Sequence, residues 1–141
     1  MSYEIREISF SYQSFEKVVL CLSKDSILRE KSMAFAKRIV RLYQFLVREK
    51  KEFVMSKQVL RSGTSIGANI AEAVFGSSKK DFVAKLQIAK KEASETLYWL
   101  ELLNSCDYIS DNLYSSIFHD CRELLLMLTS SIKTAEESGN S

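Results

Sequence analysis

The stretch that decides the fold is Ser56–Ala73, which reads SKQVLRSGTSIGANIAEA. Its apolar residues recur at spacings of seven, four and three, the pattern of a helix that buries one face. The run also contains Gly63 and Gly67, and each glycine costs a helix about 1 kcal/mol relative to alanine. Close packing against a neighbour offsets such a cost, so we expect a tightly packed helix that ends near Phe75, with Gly76 as its C-terminal cap. Its predicted core residues are Val59, Ile66, Ile70 and Ala73.

Three further amphipathic patterns flank this run. The first predicts a helix over residues 26–50, with Asp25 or Ser26 as its N-cap. The other two predict helices over residues 78–105 and 111–134, each preceded or begun by a serine that serves as the cap. The apolar stripes are Leu28, Phe35, Ile39, Leu42 and Leu46; Phe82, Leu86, Ala89, Ala93, Leu97 and Leu100; and Leu113, Ile117, Cys121, Leu124 and Leu128.

Four helices with short connections predict one all-α domain. The chain has 141 residues, no proline and only four glycines, a composition that disfavours turn-rich β folds and favours long helices. Short connections join antiparallel neighbours, so we expect an antiparallel up-down four-helix bundle over residues 25–135. Residues 136–141 are predicted to form a frayed C-terminal tail.

Residues 1–24 form a predicted N-terminal accessory segment. Its first half alternates apolar residues with serines like a strand, whereas its second half has helical spacing. We expect the segment to be extended and then helical, docking on the bundle or on a neighbouring subunit. The residues concerned are Ile8, Phe10 and Tyr12, then Phe15, Val18, Val19 and Leu22.

Several classes of function are excluded by residue counts. The single histidine, His119, is not preceded by a glutamate three residues earlier, so the paired Glu-x-x-His motifs of di-iron bundles are missing. Three widely spaced cysteines fit neither a disulfide framework nor a zinc knuckle. No apolar run approaches the roughly 18–20 residues of a membrane span, and no signal peptide is evident. We expect a cytoplasmic protein without membrane contact, catalytic residues, cofactor or metal.

Charge is divided sharply along the chain. From Arg29 through Lys91 fifteen basic residues stand against five acidic ones, whereas from Glu92 onward two stand against nine. Cations with an interleaved aromatic are typical of nucleic-acid surfaces, because cations contact phosphates and an aromatic ring stacks on a base. The alternatives are a solvated face, or contact between basic and acidic regions of adjacent subunits. The candidate nucleic-acid-binding residues are Lys31, Lys37, Arg38, Arg41, Phe45 and Arg48.

Two of the predicted helices carry a second stripe of residues that is not needed to form the core of a monomeric bundle. The third helix carries a second stripe beside its core face, and its exposed Trp99 and Leu102 would mark an oligomer interface unless the N-terminal segment covers them. The second helix carries a polar ladder, which is either a solvated face or a hydrogen-bonding seam between helices or subunits. The interface candidates are Ile88, Glu92, Glu95, Trp99 and Leu102; the ladder is Gln58, Ser62, Ser65, Asn69 and Glu72.

The run Ser56–Ala73 resembles the bacterial four-helix-bundle family named after the 23S ribosomal RNA intervening sequence. The stretches SKKDF at 78–82 and KKEASETLYWL at 90–100 resemble it as well. The resemblance implies a bundle that assembles into homopentameric rings, in a family related to the accessory variability determinant of diversity-generating retroelements. It marks Ser65, Asn69 and Glu72 as signature positions, not as known catalytic ones.

These observations favour a non-enzymatic, oligomeric helical-bundle scaffold, with RNA or a ribonucleoprotein as the expected ligand of its basic surface. The alternative is a pure protein-protein interaction module whose charged faces organise the homo-oligomer without nucleic acid. Both hypotheses require a homo-oligomer. The first adds RNA or DNA as a partner, and the second a protein partner.

Overall fold

Four long helices make up the part of the chain that the structure, a computed structural model, describes: residues 12–76 and 78–138, with side chains from residue 24 onward. They are α1 (Tyr12–Arg48), α2 (Met55–Val74), α3 (Lys79–Ser105) and α4 (Asp111–Glu137). Each helix packs against the next, and α1 also packs against α4, which closes an up-down bundle. The predicted all-α four-helix bundle is confirmed.

The first helix begins much earlier than the sequence pattern predicts. It starts at Tyr12 rather than at Ser26, so Asp25 and Ser26 lie inside the helix and the predicted N-cap is wrong. No proline or glycine interrupts residues 12–48, so nothing in the chain stops the helix there. Helical spacing therefore prevails over the strand-like alternation at Tyr12, and the predicted boundary at residue 24 falls inside a continuous helix. Ile8 and Phe10 lie outside the described residues.

Two other helix ends differ from expectation. The C-cap of α2 is Phe75, and Gly76 follows it with its N–H donating to the carbonyl of Ala73 at 3.1 Å. At the same end of the bundle, α4 continues through Glu137, so the first residues of the predicted frayed tail are helical. Its N-cap Ser110 accepts a hydrogen bond from the backbone N–H of Leu113 at 3.2 Å, as a serine cap does.

The core contains the four predicted stripes, contributed by all four helices. The glycines of α2 let α1 come close: a Cβ on Gly63 would lie 2.8 Å from Cγ1 of Ile39. A Cβ on Gly67 would lie 3.3 Å from the hydroxyl oxygen of Ser32. The expected close packing around α2 is therefore confirmed, and it is tightest at Gly63.

Candidate functional site

The predicted nucleic-acid-binding cations on α1 fall into two groups: some pair with α4, and the others face solvent. Lys31 forms an ion pair with Glu123 of α4. Arg38 donates to the carboxylate of Asp120 at 2.6 Å and to the hydroxyl of Ser116 at 2.9 Å. Both cations therefore tie α1 to α4, because α4 lies along their side of the helix. They are therefore less available to a ligand than unpaired cations, and their part in nucleic-acid binding stays a prediction.

Lys37, Arg41 and Arg48 lie on the solvent side of α1 and are exposed. No carboxylate lies within 4 Å of any of the three in the described part of the chain. At a rise of about 1.5 Å per residue, the three extend over about 16 Å of the helix. They form a row of unpaired positive charges, which we call the α1 basic row.

Phe45 does not join this row. Its ring is half-buried and packs against the core, and the ammonium of Lys50 lies 5.9 Å from its centre. Phe45 lies instead in a cleft at one end of the bundle, which Tyr108, Asp107 and Asp111 of the α3–α4 turn also line. The prediction that this ring is available to stack on a base is therefore not supported by its position.

A different aromatic residue is exposed at the end of the basic row. The turn between α1 and α2 presents Phe53, 53% exposed, and Val54, 72% exposed, to solvent. Three cations, Arg48, Lys51 and Lys57, lie at or beside this turn, and all are exposed. The sequence pattern did not lead us to predict a role for this turn. A signal was present, because residues 50–54 combine two lysines, an acid and two apolar residues that belong to no helical stripe.

Glu52 anchors the turn through hydrogen bonds to its backbone. Its carboxylate is buried and accepts hydrogen bonds from the backbone N–H groups of Val54, Met55 and Ser56 at 3.0, 2.9 and 2.6 Å. Its own N–H donates to the carbonyl of Leu46 at 3.0 Å. Burial opposes ionisation of Glu52, but these donors outweigh burial and lower its pKa below the ordinary value. The N-terminus of α2 and the exposed turn thus share one anchor.

The polar ladder of α2 also contains residues in different environments: some contact α3, and others do not. Ser62 is fully buried, and its hydroxyl lies within 2.9 Å of that of Thr96 on α3. Glu72 pairs with Lys85 of α3 at 2.7 Å. Asn69, in contrast, donates to a carbonyl of its own helix. The seam interpretation therefore holds at Ser62 and Glu72, where it joins two helices of one subunit.

The second stripe of α3 lies beside α2. The guanidinium of Arg61 donates to Glu95 at 2.6 Å and to Glu92 at 3.3 Å. The indole N–H of Trp99 donates to the same Glu95 oxygen as Arg61, at 3.2 Å. The donors Arg61 and Trp99 lower the pKa of Glu95. The stripe therefore contains a charged cluster that joins α2 and α3 within one chain.

This arrangement changes the basis of the predicted oligomer interface. Trp99 and Leu102 are half-buried, so they do not form the exposed apolar pair that the prediction assumed. Ile88 is exposed at 41%. An apolar groove of about 680 Å³ lies elsewhere, between α1 and α2. The interface on α3 itself stays a prediction.

Cys121 and His119, two residues whose side chains can carry catalytic chemistry, have different surroundings. Burial, with a smaller effect from the Asp120 charge, raises the pKa of the Cys121 thiol to about 12. His119 is exposed on α4. Across residues 24–76 and 78–138, where side chains are described, no three side chains of His, Cys, Asp or Glu are grouped to hold a metal. Nor does any helix in these ranges have the length and apolarity to cross a membrane.

Comparison with known proteins identifies the family. The family model described as 23S rRNA-intervening sequence protein matches residues 24–130. A crystal structure of a protein with unknown function from the S23 ribosomal protein family of Bacteroides thetaiotaomicron VPI-5482 is 59% identical, with a TM-score of 0.77. The alignment covers 78% of this chain and 98% of that one. No curated protein matches the chain. The chain therefore belongs to the family of 23S rRNA-intervening sequence proteins.

Proposed function

We propose that this protein is a non-catalytic, oligomeric helical-bundle scaffold that binds RNA, free or within a ribonucleoprotein, through the α1 basic row. The observation that carries the proposal is the division of the cations on α1. Lys31 and Arg38 are paired with α4, whereas Lys37, Arg41 and Arg48 are exposed and unpaired in the described chain. Unpaired cations in a row suit phosphates, because binding releases the counterions that phosphates hold.

The row also lies where a ligand has access. Two carboxylates of α4, those of Asp120 and Glu123, are already paired with Arg38 and Lys31. A phosphate backbone along the row would therefore meet three cations without first displacing an internal acid. The exposure of the row supports a binding role. Neutralising the row would leave the α1–α4 ion pairs intact, so its effect on binding can be measured without disturbing them.

The test compares two variants of equal charge. The first variant removes the row and combines Lys37→Gln, Arg41→Gln and Arg48→Gln. The second removes three exposed cations elsewhere and combines Lys80→Gln, Arg122→Gln and Lys133→Gln. Fluorescence anisotropy with a labelled RNA across a salt series measures affinity. We expect the first variant to bind more weakly and to reduce the slope of log K against log salt by about 2–3, with little change for the second. Equal losses in both would show that the row is not a site.

The oligomer is tested separately by sedimentation velocity. We expect a species larger than one chain at micromolar concentration, in line with the assembly that both functional hypotheses require. A clean monomer would remove the scaffold part of the proposal and leave RNA binding to be judged on its own data.

The second candidate function is a pure protein-protein interaction module. It is favoured by the apolar groove between α1 and α2, which Ala36, Gly67 and Ala68 line and beside which Met33 and Phe75 are exposed. Under this hypothesis Met33→Glu with Phe75→Glu would disrupt assembly or partner binding. Leu126→Glu, at an exposed apolar position on α4, would not. Loss of RNA binding in the basic-row variant with unchanged assembly would contradict this second candidate.

A further inference from the structure

We infer that the turn between α1 and α2 is a stacking platform for an unpaired base, so that the strand bound along the α1 basic row is single-stranded where it crosses the turn. The inference rests on the proposed function and adds to it the class of nucleic acid and the residue that selects it, Phe53. Sequence reasoning had assigned the stacking role to Phe45, which packs against the core.

The turn combines exposure with a fixed backbone. Phe53 is 53% exposed although the segment that carries it is firmly anchored. The Glu52 carboxylate accepts three backbone N–H groups, and the Ser56 hydroxyl donates back to the Glu52 carbonyl at 2.9 Å. Lys51 holds a left-handed backbone conformation with φ of 53°. Because the backbone is already ordered, a ligand that stacks on Phe53 has little loop ordering to supply.

The charges around the turn suit a polyanion. The basic row ends at Arg48, directly before the turn, and Lys51 lies within it. Lys57 follows on the first turn of α2. None of these three cations has a carboxylate within 4 Å among the described residues. Glu52, the acid at the centre of the turn, is buried and faces the backbone. The turn also exposes one acid, Glu49, but four exposed cations outnumber it, so the outward surface keeps a net positive charge: Arg48, Lys50, Lys51 and Lys57.

A nucleic-acid strand fits this surface better than an anionic membrane does. A bilayer lying across this end of the bundle would also meet Asp107 and Asp111 of the neighbouring α3–α4 turn, which share a cleft with Lys50. The cations instead continue away from the end, along about 16 Å of α1. A strand that follows α1 and places one base on Phe53 would lie along these cations and would not have to cover the whole end of the bundle.

The experiment separates stacking from charge. Three ligands of equal length are compared: oligouridylate of about 12 nucleotides, an abasic oligomer with the same number of phosphates, and an RNA duplex. They are tested against the full chain and its variants Phe53→Ala, Phe53→Leu and Phe53→Trp. Val54→Ala removes an apolar side chain from the same turn and is the matched control. Since Phe53 is exposed, thermal unfolding should confirm that all variants fold.

We expect Phe53→Ala and Phe53→Leu to weaken oligouridylate binding by roughly 5- to 100-fold, because both remove the ring. Phe53→Trp should restore it, and neither the abasic oligomer nor the duplex should respond. Equal binding of oligouridylate by wild type and Phe53→Ala, with the row variant still defective, would overturn this inference and leave the proposed function standing. Absence of binding to all three ligands at low salt would overturn both.

A membrane role would give a different result. Cosedimentation with phosphatidylserine vesicles that Phe53→Ala abolishes and Phe53→Leu preserves, together with unchanged oligouridylate binding, would identify the turn as a lipid anchor and overturn the stacking assignment.

Discussion

Ser62 of α2 and Thr96 of α3 share a hydrogen bond between their hydroxyl groups, 2.9 Å apart, and both side chains are completely buried. The Thr96 hydroxyl also lies 2.8 Å from the carbonyl oxygen of Glu92. A polar pair in an apolar interior is stable only while both members keep a partner. This pair therefore joins α2 to α3 at one register.

We predict that Thr96→Val lowers the free energy of unfolding by about 1–2 kcal/mol, because it leaves the buried Ser62 hydroxyl without its interhelical partner. Urea denaturation measures the change. The double variant with Ser62→Ala should lose less than the sum of the two single losses, since no orphaned hydroxyl remains. Strict additivity would show that the two hydroxyls do not interact.

We predict that Gly63→Ala destabilises the bundle by about 1–3 kcal/mol, because its Cβ would approach the branched Ile39 side chain at under 3.0 Å. Gly67→Ala is the matched control: its Cβ would meet the Ser32 hydroxyl at 3.3 Å, and alanine's better helix propensity offsets the contact. Chemical denaturation of both, and of Gly63→Ala in an Ile39→Ala background, tests the cause. If the smaller residue 39 fails to reduce the cost of the Gly63 change, crowding at Ile39 is not the reason.

We predict that Glu52→Gln lowers the free energy of unfolding by about 1–2 kcal/mol at neutral pH, since it removes a charged acceptor from three backbone N–H groups. The folded-state pKa of Glu52 lies below its ordinary value of 4.5, so the carboxylate contributes fully above that pH. Its contribution disappears as the pH falls through the folded-state pKa. The difference between wild type and variant should therefore narrow in acid. Glu49→Gln, at an exposed neighbour, should show neither effect.

We predict that the fluorescence of Trp99, the one tryptophan of the chain, reports the ionisation of Glu95. Because Arg61 and Trp99 lower the pKa of Glu95, the emission change should have a midpoint below 4.5, the ordinary value. Arg61→Met should move that midpoint upward, because it removes the main hydrogen-bond donor to Glu95. Lys85→Met, which breaks the neighbouring α2–α3 ion pair, should leave it in place. Circular dichroism must show that the helices persist at each pH; an unmoved midpoint in Arg61→Met would contradict the assignment.

The fold was predictable because each helix carries its own signal. The stripes around Ile39, Ile66, Leu86 and Leu124 have a helical period, and that period alone identifies the buried face. The start of α1 was not predictable in this way, because its first residues show both a strand-like and a helical pattern. The absence of proline or glycine between Tyr12 and Arg48 was the deciding fact, and it was available in the sequence.

The candidate site was only partly predictable, because charge along a chain does not say which charges meet. Lys31 and Lys37 look equivalent in sequence, yet one pairs with Glu123 and the other faces solvent. Their difference depends on where α4 lies, which is set by core packing far from either lysine.

The sequence by itself determined the number of helices, the faces they bury and the family to which the chain belongs, since periodicity and a specific run of residues are local properties. Only the tertiary structure decided which cations on α1 form ion pairs with α4 and which remain exposed to a ligand. It also decided that the exposed ring at the basic end of α1 is Phe53 and not Phe45. The physical reason is that exposure and ion pairing are properties of neighbours distant in the chain, and packing four helices together is what brings those neighbours into contact.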